Sequence, residues 1–452
     1  DSTVNQSGGA YVAYLFAHDA GGFGLTGTDN VISCGSYTGN GSDDGPTVTL
    51  GYEPQWVLIK RTNTAGDNWI LVDTMRGFYD NGTGDDYYLQ PNLTNAETSF
   101  RIGEPTATGF KLRSLGANVN ASGSTYIYIA IRRGPMKVPT SGTTVFTPVQ
   151  RLGNNSATTV TSIGFPPDFV LSDKRNGADG PCFDRLRGPF QQIRTTDTAA
   201  EATGSGSLTD FGVMDGFKVS SDASGWINQG GSYYIYYGLR RAPSFFDVVC
   251  YTGTGVTNRT VSHNLTVAPE LIFVKARNNA QNWSALCTLS GGKQGRLNTT
   301  ALLSAPSASV FGNGTSYVAP TSSVFTVGTD NETNASTWTY VAYLFASCPG
   351  VSKVGTYTGN GSSQTINCGF AAGARFILIK RSDSIGYWYL WDSVRGINAA
   401  GTNDPYFLAN SANAEVTTDD SLSAQSSGFG VIQSATTNIN VNAATYVYLA
   451  LA

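Results

Sequence analysis

The chain has 452 residues, more than one hydrophobic core usually covers, so roughly two to four domains are expected. Only 13% of residues are charged, the formal net charge is -4, and the 28 Lys and Arg are spread thinly, which argues against a nucleic-acid partner because phosphate binding needs clustered cations. No apolar run is long enough for a membrane-spanning helix, so no membrane insertion is expected, and 53 Gly with 23 Tyr and 22 Phe favour a secreted or virion-type all-β chain over a helical enzyme.

Taken in chain order, the predicted elements repeat. Residues 1–17 carry "GGAYVAYLFA", which reads as the closing strand of a preceding repeat whose remainder is absent and which needs a partner sheet; no signal-peptide pattern precedes it, so a processed or partial chain is expected. Repeat 1, residues 35–133, opens with "GSYTGNGSDDG", continues to the apolar strand "WVLIKR", and ends with the alternating "TYIYIAIRR". Repeat 2, residues 144–241, has "FVLSDKR" and "YYIYYGLRR" in the same places. Repeat 3, residues 247–346, has "LIFVK" and "TYVAYLFA", and repeat 4, residues 353–452, has "GTYTGNGS", "FILIKR" and "TYVYLALA". A period of two in the closing segment predicts a half-buried strand, and the basic residues after each apolar strand read as a strand exit. Turn clusters rich in Gly, Asn, Asp and Ser recur about every 8 to 12 residues, the spacing of a β-sandwich. The expected fold is all-β: tandem β-sandwich domains of jelly-roll, lectin or laminin-G-like type, joined by short Pro-bearing segments into a rod.

One polar motif recurs after the basic strand. Asp73 and Arg76, Asp184 and Arg187, and Asp392 and Arg395 precede a glycine, whereas repeat 3 has Cys287 and Ser290 at those positions. Asp and Arg are lost together, as expected of a structural ion pair, because removing one partner alone leaves a costly buried charge. A catalytic role would need a second positioned carboxylate or a His, and none recurs, so no catalytic residue is assigned. His18 and His263 stand in different repeat contexts and suit no nucleophilic triad. Glycosidase chemistry by two carboxylates that meet only in space is left as the residual enzymatic reading.

The six cysteines form no C-x-x-C pair and are expected to be free, mostly buried thiols. No cofactor is expected; "TGNGSDDG" (38–45) and "DNGTGDD" (80–86) have the oxygen-rich composition of a calcium loop, but a solvated turn is the preferred reading. Triplets such as Asn81-Gly82-Thr83 follow from composition and do not establish glycosylation. Tyr387, Trp388, Tyr389 and Trp391 form the richest aromatic cluster, the candidate surface for stacking on sugar rings, with core packing as the simpler alternative.

The combination of "YTGNGS", an apolar strand ending "LIKR", Trp four residues before Asp, "RG", and a closing "TYVYLALA" resembles a tandem repeat of tailed-bacteriophage virion proteins, especially marine and cyanobacterial phages. The resemblance spans nearly the whole chain, with departures at Trp in repeat 2 and at Asp and Arg in repeat 3. It implies a non-enzymatic structural protein of the virion surface, of tail-fibre or other host-contacting type, partnered by other virion proteins, by copies of itself and by a host surface glycan. A capsid decoration or head fibre, or a glycan-binding or glycan-degrading module, are the alternatives.

Overall fold

Strand formation follows the apolar alternation of the sequence. The structure, a computed structural model, describes every residue except 1–3, 5, 81–83, 178–179, 205, 223–224 and 399–400. It is almost entirely β, and its sheets are antiparallel sandwiches. The segments of repeats 1 to 4, here units 1 to 4, each build one large sheet in the same order.

In unit 4 the opening strand Ser352–Thr358 pairs with the closing strand Thr445–Leu451, which pairs with the basic strand Phe376–Arg381, followed by the Asp-bearing strand Trp388–Asp392. The other units show the same order. In unit 3 it runs Phe246–Thr252, Thr339–Phe345, Leu271–Ala276 and Ser284–Cys287. Unit 2 uses Phe146–Leu152, Tyr233–Leu239, Phe169–Lys174 and Pro181–Asp184, and unit 1 uses Ile32–Thr38, Thr125–Arg132, Pro54–Arg61 and Ile70–Asp73. The last strand of each unit is therefore central in its sheet. That makes each unit non-local, its two ends paired across some eighty residues of chain.

A small sheet covers one face of each large sheet. In unit 1 it is Thr47–Thr49, Gly109–Leu112 and Gly103–Thr106; in unit 3 it is Arg259–Ser262 with Val324–Val327. The closing strand supplies alternate residues to the core between the sheets: Tyr126, Tyr128 and Ala130 in unit 1, Tyr340, Ala342 and Leu344 in unit 3.

The "YTGNGS" turn is held by a residue the motif does not contain. A fully buried asparagine lies shortly before each closing strand, at 120, 228, 334 and 440. The Asn120 side-chain carbonyl accepts the Asn40 N–H at 2.9 Å, and its amide donates to the Ser42 carbonyl at 2.8 Å. Asn334 binds the Thr254 N–H and the Val256 carbonyl in the same way. Beside it, Tyr126, Tyr234, Tyr340 and Tyr446 each donate their hydroxyl to a carbonyl eight or nine residues upstream. Buried backbone groups in these turns are thereby satisfied by side chains.

The units are not strung along a rod. Units 2, 3 and 4 turn the other faces of their large sheets toward one another and share a single apolar core, to which each contributes its closing strand. Residues Tyr237 and Leu239, Tyr343 and Phe345, and Leu449 and Leu451 occupy matching positions in it. Every pair of units touches: Phe169 packs on Tyr343 with ring centroids 4.9 Å apart, Phe273 on Trp388 at 5.7 Å, and Tyr237 on Phe376 at 5.5 Å. The arrangement is a closed ring with an approximate threefold axis. The closing strands of these three units are consequently buried on both faces, not one. The unbroken apolar run Val341–Ala346 suits this double burial.

Unit 1 lies outside this ring. It is fixed by Glu53, whose carboxylate accepts two bonds from Arg241 at 2.8 and 2.6 Å, and by Asp80, which accepts from Arg277 at 3.0 Å. Among the described residues of 1–17 no strand forms, and Val12, Tyr14 and Leu15 are exposed. Residues 81–83 of the second calcium-like loop, and with them the Asn81 triplet, lie outside the described residues.

Candidate functional site

The recurrent Asp-x-x-Arg motif is the strongest polar signal in the sequence, and the structure places the copies of units 2 and 4 at seams of the ring. At the end of its strand Asp392 uses one carboxylate oxygen to accept the Arg395 backbone N–H at 2.9 Å and the other to accept Arg395 Nε at 2.6 Å. Asp184 and Arg187 repeat this at 2.8 and 2.5 Å, and Asp73 and Arg76 at 2.9 and 2.6 Å. A glycine at positive φ follows each arginine: Gly77, Gly188 and Gly396. The motif is a clamp that closes a tight turn.

Each clamp in the ring also receives groups from the next unit. Tyr343 of unit 3 donates its hydroxyl to Asp184 of unit 2 at 2.8 Å and accepts from Arg187 at 3.1 Å. Tyr237 of unit 2 donates to Asp392 of unit 4 at 2.7 Å and accepts from Arg395 at 3.3 Å. Burial holds both tyrosines well above their ordinary pKa, so they remain donors. Burial works against the charge on Arg187, but Asp184, Tyr343 and Glu201 outweigh it and hold its pKa well above the usual value.

The third seam lacks all of these groups together. Unit 4 has Leu449 at the tyrosine position, and unit 3 has Cys287 and Ser290 in place of the clamp, with Cys287 and Leu449 in the shared apolar core. The joint loss read from Asp and Arg therefore extends to a third residue, 159 positions from Ser290. A tyrosine there would bury its hydroxyl without the ion pair; an ion pair there would lack its donor.

The basic residues that end the apolar strands complete the seams. Arg277 of unit 3 reaches Glu201 of unit 2 at 3.0 Å, and Glu201 in turn pairs with Arg187 at 2.9 Å. Arg175 of unit 2 reaches Glu415 of unit 4 at 2.6 Å. Burial raises the Glu201 carboxyl, but Arg277 and Arg187 outweigh it and hold the pKa below the ordinary value. At the third seam Arg381 turns back to Asp383, 2.9 Å away in its own unit. Lys275 is fully buried and donates to the Thr198 carbonyl of unit 2 at 2.9 Å; burial lowers it to about 8, as it does Lys380. Glu201 and Glu415 carried no spacing signal, since the loops that bear them differ in length. The tyrosines carried no signal within a unit either, because Tyr343 stands in the unit that lacks the clamp and Leu449 in one that keeps it.

The indoles follow the same order of docking. Trp283 Nε1 donates to the Arg194 carbonyl of unit 2 at 2.8 Å, and Trp388 Nε1 to the Arg296 carbonyl of unit 3 at 3.1 Å. This corrects the expected aromatic contact surface. Trp388 and Trp391 are sealed in the two cores of unit 4, and Tyr389 is buried against Tyr406. Tyr387 alone is exposed, at 38%, on a cleft of about 310 Å³ with Thr300, Arg381, Ile385 and Asn438.

The remaining sequence candidates have structural partners. In the first calcium-like loop Asp43 pairs with Arg101 at 2.6 Å and Asp44 with Lys111 and Arg113. Asp86 of the second accepts the Ile102 and Gly103 N–H groups at 2.7 and 2.9 Å. Among the described residues no cluster of three His, Cys, Asp or Glu has the arrangement of a metal site. All six cysteines are free, and Cys182, Cys287, Cys348 and Cys368 are buried. His263 accepts the Leu265 N–H at 3.2 Å, while His18 accepts that of Cys34 at 3.1 Å. On the ring axis an apolar cavity of about 80 Å³ is lined by Phe273, Tyr343, Leu378 and Leu449. Between units 1 and 2 a polar cleft of about 390 Å³ holds Asp73, Arg76, Asp168 and Arg185. Among the described residues no helix is long and apolar enough to cross a membrane.

These features define an all-β repeat protein whose recurrent charged residues join one sandwich to the next. The chain belongs to the family described as Domain of unknown function (DUF7483), which matches residues 1–135 and 141–452. No curated protein matches it.

Proposed function

We propose that the chain is a non-enzymatic structural protein of a tailed-phage virion, built into a tail fibre or another host-contacting appendage. The observation that carries this reading is that in the ring the recurrent Asp-x-x-Arg motif is consumed at the seams: Asp184, Arg187, Asp392 and Arg395 are buried and joined to tyrosines of neighbouring units. Residues spent on joining repeats serve construction, and tethered repeats gain avidity when each carries a weak surface site. The resemblance to phage virion repeats supplies the particle. Its partners are then other virion proteins, further copies of itself and a host glycan.

Immunogold labelling with antibody to the chain tests the reading: signal at the tail tip or fibres supports it. Signal on the capsid favours the second reading, a decoration or head fibre, and particles that remain unlabelled contradict both.

The cleft at Tyr387 supports a glycan contact, since an exposed aromatic ring beside Arg381 and Asn438 offers a stacking face with polar groups at its rim. Binding to a glycan array should fall at least tenfold in Tyr387→Ala. Undiminished binding would place the contact elsewhere.

A further inference from the structure

Unit 1 has the docking features of a ring member, but no ring surrounds it. Its closing strand carries Ile127, Ile129 and Ile131 on the face opposite the sandwich core, flanked by Trp56, Leu58 and Leu71. The matching residues Ile235, Val341 and Val447 are 0%, 0% and 1% exposed in the ring, whereas Ile127 is 41% exposed. Its clamp is complete, with Asp73, Arg76 and Glu97 in line at 2.6 and 3.3 Å; it opens on the polar cleft whose other wall is Asp168 and Arg185 of unit 2, and among the described residues it receives no tyrosine. Trp69, the counterpart of Trp388, is half-buried where Trp388 is enclosed.

The type of unit can be read as well. Unit 1 shares the "YTGNGS" and "LIKR" strings with unit 4, and Ile129 stands where unit 4 has Leu449, so both present an aliphatic residue on one side and a clamp on the other. Residues 10–17, "AYVAYLFA", repeat the unit 3 closing segment 339–346 at seven of eight positions, with Tyr14 at the place of Tyr343. The family match divides the chain in agreement: its second stretch, 141–452, spans the ring, and its first, 1–135, spans this segment followed by unit 1.

We infer that the outer face of unit 1 is a docking surface for two further repeats, one of unit 2 type and one of unit 3 type, the latter closed by Ala10–Ala17. The unit 2-type sheet brings a tyrosine and a strand-exit arginine to Asp73, Arg76 and Glu97, as Tyr237 and Arg175 come to Asp392, Arg395 and Glu415. The unit 3-type sheet offers a carbonyl to the Trp69 indole, as Arg296 does to Trp388. Self-association of unit 1 is the poorer match, because Ile129 would leave the buried clamp without its donor. The segment Ala10–Ala17 is exposed because a strand with two apolar faces needs a sheet on each edge and a layer on each side.

Hydrogen exchange tests this in two proteins, the 452-residue chain and a chain in which residues 144–338 are placed directly ahead of Ala10. In the first, the amides of residues 10–17 should exchange like free peptide. In the second, they should be protected to within about tenfold of the Thr339–Phe345 amides of the same molecule, and Ile127→Lys should abolish that protection. The inference is overturned if residues 10–17 stay unprotected in the extended chain, or if that chain does not fold. It is also overturned if light scattering shows the 452-residue protein to be an oligomer that Ile127→Lys dissociates.

Discussion

At the scale of single residues, the buried polar groups do the work of specification. Asn440 binds the Asn360 N–H at 3.0 Å and donates to the Ser362 carbonyl, so Asn440→Ala strands buried backbone groups and should cost about 2 to 4 kcal/mol in urea unfolding. Leu449→Tyr should destabilise by about 1 to 3 kcal/mol, because its hydroxyl would meet Cys287 and Ser290 rather than a clamp. Asp86 supplies a pH dependence. Burial pushes its carboxyl up to about 7 against the opposing Gly103 and Ile102 N–H groups, while in the unfolded chain it ionises near pH 4. The folded state therefore holds the extra proton between those values, and stability falls as pH rises across them. Asp86→Asn should gain on the parent protein in thermal midpoint from pH 4 to pH 7 and show no further change above. Parallel midpoints over that window would exclude the assignment.

At the scale of elements, the closing strand decides what a unit can join. In unit 3 one set of its residues faces the sandwich and the other, Val341, Tyr343 and Phe345, faces the ring. Val341→Lys should abolish folding of the ring, whereas Ile127→Lys in the 452-residue protein should leave thermal stability unchanged, because the two residues differ only in what covers them. The strands of the four units were legible: in each, the apolar run ending in Lys or Arg and the tyrosine-rich closing segment are strands, whereas the matching segment at 10–17 is not. The joint loss of Asp and Arg in unit 3 correctly marked an ion pair. What could not be read was the second face. Both "TYIYIAIRR" in unit 1 and "TYVAYLFA" in unit 3 have two apolar faces, Ile127, Ile129 and Ile131 in the one and Val341, Tyr343 and Phe345 in the other, so the run itself does not tell a strand covered on one side from a strand covered on both. The aromatic cluster of unit 4 misled for the same reason: Trp388 and Trp391 sit on opposite faces of one strand, and both faces are cores. Glu201 and Glu415 were invisible because their loops share no common spacing.

At the scale of the molecule, three sandwiches close on a common apolar axis and should unfold as one cooperative body, with unit 1 joined to it by contacts that include Glu53, Asp80 and their arginines. Ring closure joins Tyr237 to Asp392, 155 positions apart, so an interaction between these side chains reports directly on contact between units 2 and 4. A double-mutant cycle with Tyr237→Phe, Asp392→Asn and the pair, followed by urea unfolding, measures that coupling free of each residue's other contacts. The ring predicts a coupling energy of at least about 1 kcal/mol, as befits a buried hydrogen bond to a charged group. Additive losses, with a coupling energy below about 0.3 kcal/mol, would show that units 2 and 4 do not meet at this seam and would contradict the ring.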